Sequence, residues 1–473
     1  MSKKKHQFPH VYVVLFIIII IAAVLTWILP ANQYDYQIKD GKVSKLVDPN
    51  SYHGVEAHHV NPWEMLVAVP KGMQEVADII FFIFLVGGSF AILQSTGAVE
   101  AGIKKLVIAC GGRDQSGKRS DWKDGLLLFI IVAAFSTGGC TFGMAEEALV
   151  FIPMLVPLSI AMGYDSLVGL ALALVAPCAG FTGAFINPFT LQVAQRMVGL
   201  PILSGMTYRI VIFIIQTVVA FLFIFIYAMR VKRNPQLSIM YEADKGREKI
   251  DLDADTPFTV QHKIILFVML ATFAVLVYGV NAWGFGLTEI TALFLAMGII
   301  AGFIGGKGPS KIAEAFVDGS TSLTMGALVV GVARAILVVL NQGNILHTIV
   351  HAMGAAVAGL PPALSAIGMY IVQILISVII PSGSGMAAVT MPIMGPLATL
   401  VGMTQQTAVL IYQFADGFTN IIIPTSGYLL AGVALAKVPY EKWVKWYAPL
   451  FGIFLVLGAV FVIIAQIIHF GPF

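Results

Sequence analysis

Four ionisable residues stand where the sequence is otherwise apolar. Glu146 and Glu147 lie in the stretch 125–162, Asp416 opens a run ending near 426, and Arg334 sits midway along 319–341. Burying charge is expensive, so such residues mark a substrate or ion path, or pair with one another. Adjacent residues on a helix point about 100° apart, so at most one of Glu146 and Glu147 faces a common site. Asp416 precedes Gly417 and could equally cap a helix break. Arg334 could pair with one of these carboxylates, or offer a fixed, bidentate cation to a substrate carboxylate. Three carboxylates against one arginine favour a solute with a positive group. An amino acid with a cationic side chain fits that balance, and a dicarboxylate would want more positive charge.

Small and neutral polar residues gather at four further places. Thr137, Gly138 and Gly139 fall in the run Ser136–Gly143, and Ser382, Gly383, Ser384 and Gly385 follow Pro381. Asn187 precedes Pro188, while Asn420 and Thr425 lie in the stretch Asp416–Ser426. Glycine and proline interrupt helices, and hydroxyls satisfy the freed backbone groups. A broken helix presents free N–H groups that suit a carboxylate and free C=O groups that suit Na⁺. All these residues are therefore candidate substrate ligands, although small residues also serve close helix packing. Ser384 lacks a full G-x-S-x-G elbow. His347 and His351 are four apart but lack the glutamate of H-E-x-x-H, which leaves an interfacial role. There is no P-loop. The chain reads as no enzyme, with no metal site, cofactor or nucleic-acid partner.

Elements that could position these groups must lie in a membrane. Of 473 residues, 58 % are apolar and 11 % charged, against roughly 25 % charged in soluble domains. A net charge of +3 implies no acidic partner. Three cysteines make no disulfide framework: Cys110 lies in a polar loop, and Cys140 and Cys178 read as buried thiols. Spans are predicted near 11–30, 76–97, 166–186, 206–229, 263–283, 286–305, 319–341, 405–423 and 446–469. Lys3, Lys4 and Lys5 resemble a signal n-region, but the run after them is long enough to span. Trp27, Trp63, Trp283, Trp443 and Trp446 fall near the predicted interfaces, as an anchoring belt would.

The regions 125–162 and 361–403 are broken midway and read as re-entrant hairpins. With nine full crossings and two non-crossing hairpins, four basic clusters share one side. They are Lys104–Lys123, Arg230–Arg233, Lys307–Lys311 and Lys437–Lys445. The positive-inside rule makes that side cytoplasmic, with the N-terminus inside and the C-terminus outside a plasma (inner) membrane.

The chain also repeats itself. Pro153-Met-Leu-Val-Pro-Leu matches Pro392-Ile-Met-Gly-Pro-Leu, Gly163 matches Gly402, and Gly180-Phe-Thr matches Gly417-Phe-Thr. The predicted units are residues 1–230 with hairpin 125–162 and broken span 166–199, a cytoplasmic linker 231–261, and residues 262–473 with hairpin 361–403 and broken span 405–437. Their hairpins open from opposite sides, so the repeats are inverted. Inverted repeats with broken helices point to a secondary transporter.

With Pro381-Ser-Gly-Ser-Gly-Met386 and Gly417-Phe-Thr-Asn420, the sequence resembles the YfcC family. That family is similar to the C4-dicarboxylate anaerobic carriers of the ion transporter superfamily. The resemblance implies an all-α polytopic fold of inverted repeats, a homodimer, and an elevator motion. It also implies carriage of either carboxylates or arginine and ornithine. Its sodium-coupled dicarboxylate members carry Ser-Asn-Thr hairpin tips, and no asparagine stands at either tip here. With Glu146, Glu147 and Asp416 favouring a cation, the expected function is exchange of basic amino acids. The alternative is an Na⁺- or H⁺-coupled C4-dicarboxylate carrier. Obligatory exchange would need no ion, whereas net uptake would need coupling to Na⁺ or H⁺.

Overall fold

The computed structural model describes residues 11–39, 42–48, 51–102, 105, 121–141, 143–187, 190–201, 204–247, 258–356 and 362–471. Cys110 and most of the basic run around it lie outside the described residues. The apolar runs fold as helices because a backbone in lipid must satisfy its own hydrogen bonds. Helix α1 (Val11–Ile28) is followed by two short antiparallel ribbons. In these, β1 (Asn32–Gln33) pairs with β4 (His53–Gly54), and β2 (Tyr36–Lys39) with β3 (Lys42–Val47). Helix α2 (Pro62–Glu75) starts on a capping box between Asn61 and Glu64. A single residue, Val76, separates it from α3 (Ala77–Ser95).

Two stretches then share one order of elements. The first holds α4 (Asp121–Thr141), a 3-10 turn (Glu146–Phe151), α5 (Ile152–Ala161), α6 (Ser166–Thr182), α7 (Leu191–Met197) and α8 (Met206–Arg233). A connecting region carries α9 (Tyr241–Asp244), α10 (Val260–Tyr278), α11 (Leu287–Ile304), α12 (Pro309–Thr321), α13 (Thr324–Gln342) and α14 (Leu346–Ala355). The second holds α15 (Pro362–Ile379), α16 (Gly383–Leu400), α17 (Gln405–Thr419), α18 (Gly427–Leu435) and α19 (Tyr440–Ile467).

The correspondence extends to the caps. Gly163 and Gly402 both take left-handed backbone, with φ of 86° and 73°. Each closes its helix with the same pair of bonds. Gly163 and Tyr164 donate to Ile160 and Ser159, and Gly402 and Met403 donate to Thr399 and Ala398. Asp165 then caps α6 by accepting from Val168, and Thr404 caps α17 by accepting from Thr407.

By packing, the helices form two groups. In one, α2 lies against α13, and α3 against α11, α12 and α13. In the other, α6 is wrapped by α4, α5 and α8, and α17 by α15, α16 and α19, with α6 against α17. Helix α18 bridges them by packing on α13. Helices α8 and α19 turn Ile214, Ile226, Val456 and Ile467 outward, as lipid-facing helices do. Among the described residues, α3, α4, α8, α11 and α19 are long and apolar enough to cross a membrane. Residues Ala327–Gln342 and Leu346–Met353 add one more if taken as a single span bent by 83°.

Several details depart from the sequence expectation. The first break lies between Thr141 and Glu146, later than Ser136–Gly143, and α4 at 21 residues is full-span length. Thr137 and Thr141 stay helical by returning their hydroxyls to the carbonyls of Ala133 and Thr137. The second break is Ile380–Ser382, so Gly383 and Gly385 belong to α16. The span 319–341 is interrupted at Ser322–Leu323. Trp443 and Trp446 are core rather than belt: both are buried, and the Trp443 indole donates to the Ile421 carbonyl at 2.7 Å. Trp27, Trp63 and Trp283 are exposed.

Candidate functional site

A cavity of about 490 Å³ opens where the two groups of helices meet. One wall comes from the α2–α3 junction and α13, through Glu75, Val76, Asp78, Ile79, Val330 and Arg334. The other comes from both helix breaks of the repeated stretches: Gly143–Glu147, Pro381–Ser384, and the end of α17 with the turn into α18. The volume is in the range of small-molecule sites.

Asp416 is fully buried inside α17. It therefore caps no break, contrary to one sequence reading. Its Oδ1 accepts from the Asn420 amide at 2.8 Å, and among the described residues its Oδ2 has no hydrogen-bond partner. A glycine at 383 permits this approach, since a Cβ there would lie 2.8 Å from Asp416 Oδ2. Glu146 and Glu147 begin the 3-10 turn and are half-buried. Glu147 Oε2 accepts the Ala145 N–H at 3.0 Å. Both line the cavity, where one was expected. A 3-10 turn spreads adjacent side chains by about 120°, so the two glutamates reach different parts of one open space. Asp78 lines the cavity from the first wall, and Glu146 and Asp416 line it from the second.

Arg334 also lines the cavity, but its partner is none of the three expected carboxylates. Its Nε donates to Glu75 Oε2 at 2.7 Å. Sequence reasoning passed over Glu75 and Asp78 because they flank an apolar run instead of interrupting it. The available signal is two acids three residues apart at a helix junction one residue long.

Ser382, Gly383, Ser384, Asn420 and Thr425 line the cavity as well. The Ser382 hydroxyl accepts from Gly385 and caps α16, leaving the first N–H groups of that helix without intrahelical partners. Thr137, Gly138, Gly139, Asn187 and Gly385 are not among the lining residues. Gly139 serves helix packing: a Cβ there would sit 2.1 Å from the Pro177 carbonyl oxygen. Asn187 is fully buried and accepts the Thr190 N–H at 3.2 Å. Among the described residues, no group of three or more His, Cys, Asp or Glu could hold a metal ion.

The sequence matches the C4-dicarboxylate anaerobic carrier family, DcuC, over residues 8–467. It is 34 % identical to YfcC of Escherichia coli (strain K12), provisionally named a basic amino acid antiporter, over 99 % of this chain and 98 % of that one. It is 28 % identical to an uncharacterized protein of Haemophilus influenzae (strain Rd), over 98 % of each. Two solved structures are similar. The YdaH transporter of Alcanivorax borkumensis has a TM-score of 0.45 and 14 % identity over 97 % of this chain and 98 % of that one. MtrF of Neisseria gonorrhoeae has a TM-score of 0.42 and 17 % identity over 97 % of this chain and 95 % of that one.

Proposed function

This chain belongs to the C4-dicarboxylate anaerobic carrier family of secondary transporters, and within that family we propose that it exchanges basic amino acids, arginine against ornithine. It is a membrane transporter and not an enzyme. One observation carries the substrate reading. Among the described residues lining the cavity, five carboxylates (Glu75, Asp78, Glu146, Glu147, Asp416) face a single guanidinium, Arg334, which is already bound to Glu75. A dicarboxylate would add two more negative charges to that wall. A cationic side chain would instead be drawn to Asp416, Glu146 and Glu147 on the opposite wall. The α-carboxylate of the same substrate would take the free N–H groups at the start of α16, beside Ser382, Gly383 and Ser384. The name of the Escherichia coli relative agrees with this assignment.

The proposed cycle is alternating access of an elevator type, with the α4–α8 and α15–α19 units as inverted repeats moving against the α1–α3 and α10–α13 group. It includes nine crossings, two re-entrant hairpins, a cytoplasmic N-terminus, an outer C-terminus, an inner-membrane location and a homodimer. The test is counterflow in proteoliposomes loaded with unlabelled arginine. Labelled ornithine should enter only when arginine is inside. Succinate entry driven by an Na⁺ or H⁺ gradient, with no ornithine signal, would replace this reading with the coupled carboxylate carrier.

A further inference from the structure

Asp78 has no place in the sequence reading, yet it faces the carboxylates of the opposite wall. Its Oδ1 accepts only a local bond, from the Ile79 N–H at 2.9 Å, and among the described residues it makes no ion pair. The nearby cation, Arg334, is engaged by Glu75. The opposite wall carries Glu146, Glu147 and Asp416, the last wholly buried and, among the described residues, with Oδ2 unpartnered. Asp78 belongs to the α3 group, and the other three belong to the opposite group. Any cycle that moves one group past the other must carry these charges through a state with less water than the open cavity. Like charges at such a seam oppose passage unless a cation lies between them.

We propose that Asp78 makes exchange obligatory: its carboxylate, set against Glu146, blocks return of the empty carrier, and the substrate's cationic group lifts the block by sitting between the two. The inference rests on the basic amino acid reading. Asp78 is the residue to change, because among the described residues it is the acid on its wall without an ion pair, while Glu146, Glu147 and Asp416 remain to bind substrate.

The test compares two fluxes from vesicles loaded with labelled arginine. One is efflux into medium containing ornithine, and the other is efflux into medium containing none. In the unmodified protein the second should be under a tenth of the first. In Asp78→Asn it should rise at least tenfold relative to the first, and Asp78→Glu should restore tight exchange. Asp78→Ser gives the same comparison if asparagine impairs folding. Either uncharged variant exchanging as tightly as the unmodified protein overturns the proposal. So does a variant that binds arginine but moves it in neither medium, since removing a block cannot deepen it. An unmodified protein that moves no basic amino acid refutes the substrate reading itself, which is a different result from tight exchange in Asp78→Asn.

Discussion

Gly180-Phe181-Thr182 ends α6, and Gly417-Phe418-Thr419 ends α17. In both, the threonine hydroxyl returns to its own helix, at the carbonyls of Ala179 and Ala415. In both, the glycine is a contact point. A Cβ on Gly180 would lie 1.7 Å from the Ser136 carbonyl oxygen, and one on Gly417 would lie 1.9 Å from Thr182 Cγ2. The two helices thus cross at their ends, where Cys178 Sγ donates to the Gly417 carbonyl at 2.7 Å. The charges do not follow this likeness. In the register of the glycines, Asp416 stands where the first stretch has Ala179. In the register of Gly143-Met-Ala and Gly385-Met-Ala, Glu146 and Glu147 stand where the second has Ala388 and Val389. Each stretch gives acid at a position where its counterpart is apolar. Shared residues therefore build the crossing, and the acids that these two stretches turn toward the cavity are all unshared.

The sharpest attack on that division is Asp416→Asn. The side-chain volume and the bond from Asn420 can both survive, so the fold should hold while the charge is lost. Arginine–ornithine counterflow should fall at least about 100-fold, roughly 2.7 kcal/mol, with thermal unfolding in detergent moved by no more than about 2 °C. Near-normal counterflow would show that the unshared acid is not what separates the two stretches.

A second comparison places one substitution on each side of the division. Gly180→Ala forces a Cβ into backbone, which cannot yield, and overpacking costs roughly 1–3 kcal/mol. Its unfolding temperature should drop, while protein that remains folded keeps its KM for arginine. Gly383→Ala meets Thr190 Cγ2 at 2.7 Å and Asp416 Oδ2 at 2.8 Å, both side-chain ends. It should fold and raise KM about tenfold, an effect of about 1.4 kcal/mol. The same KM shift in both variants would erase the distinction between a packing glycine and a site glycine.

The repeat, the two breaks and the acids Glu146, Glu147 and Asp416 were legible because each violates an apolar background. Glu75 and Asp78 were not, because they sit at the edge of a run, where acids are ordinary. The partner of Arg334 was misread for the same reason. Thr137, Gly138 and Gly139 do not line the cavity. Glycine in an apolar run signals either a break or a tight crossing, and only the neighbour, Pro177 on α6, decides which. Trp443 and Trp446 fit the belt by position, but the Trp443 indole is needed inside to satisfy the Ile421 carbonyl freed by the α17 break.

The mildest prediction concerns what the two stretches share. Thr182 also bonds Gln216 on α8, and Thr419 bonds Ser377 on α15 at 2.5 Å. Each threonine fastens the end of a broken helix to a neighbour, and neither lines the cavity. Thr182→Val and Thr419→Val keep the side-chain shape and remove the hydroxyl. Each leaves one partner without its bond, at about 1 kcal/mol. Thermal unfolding should fall by a similar few degrees in both, with KM unchanged. A large KM change in Thr419→Val alone would extend the site from Gly417, which lines the cavity, to the far end of the shared triplet. The triplet that ends α17 would then serve the substrate at both of its ends as well as the crossing.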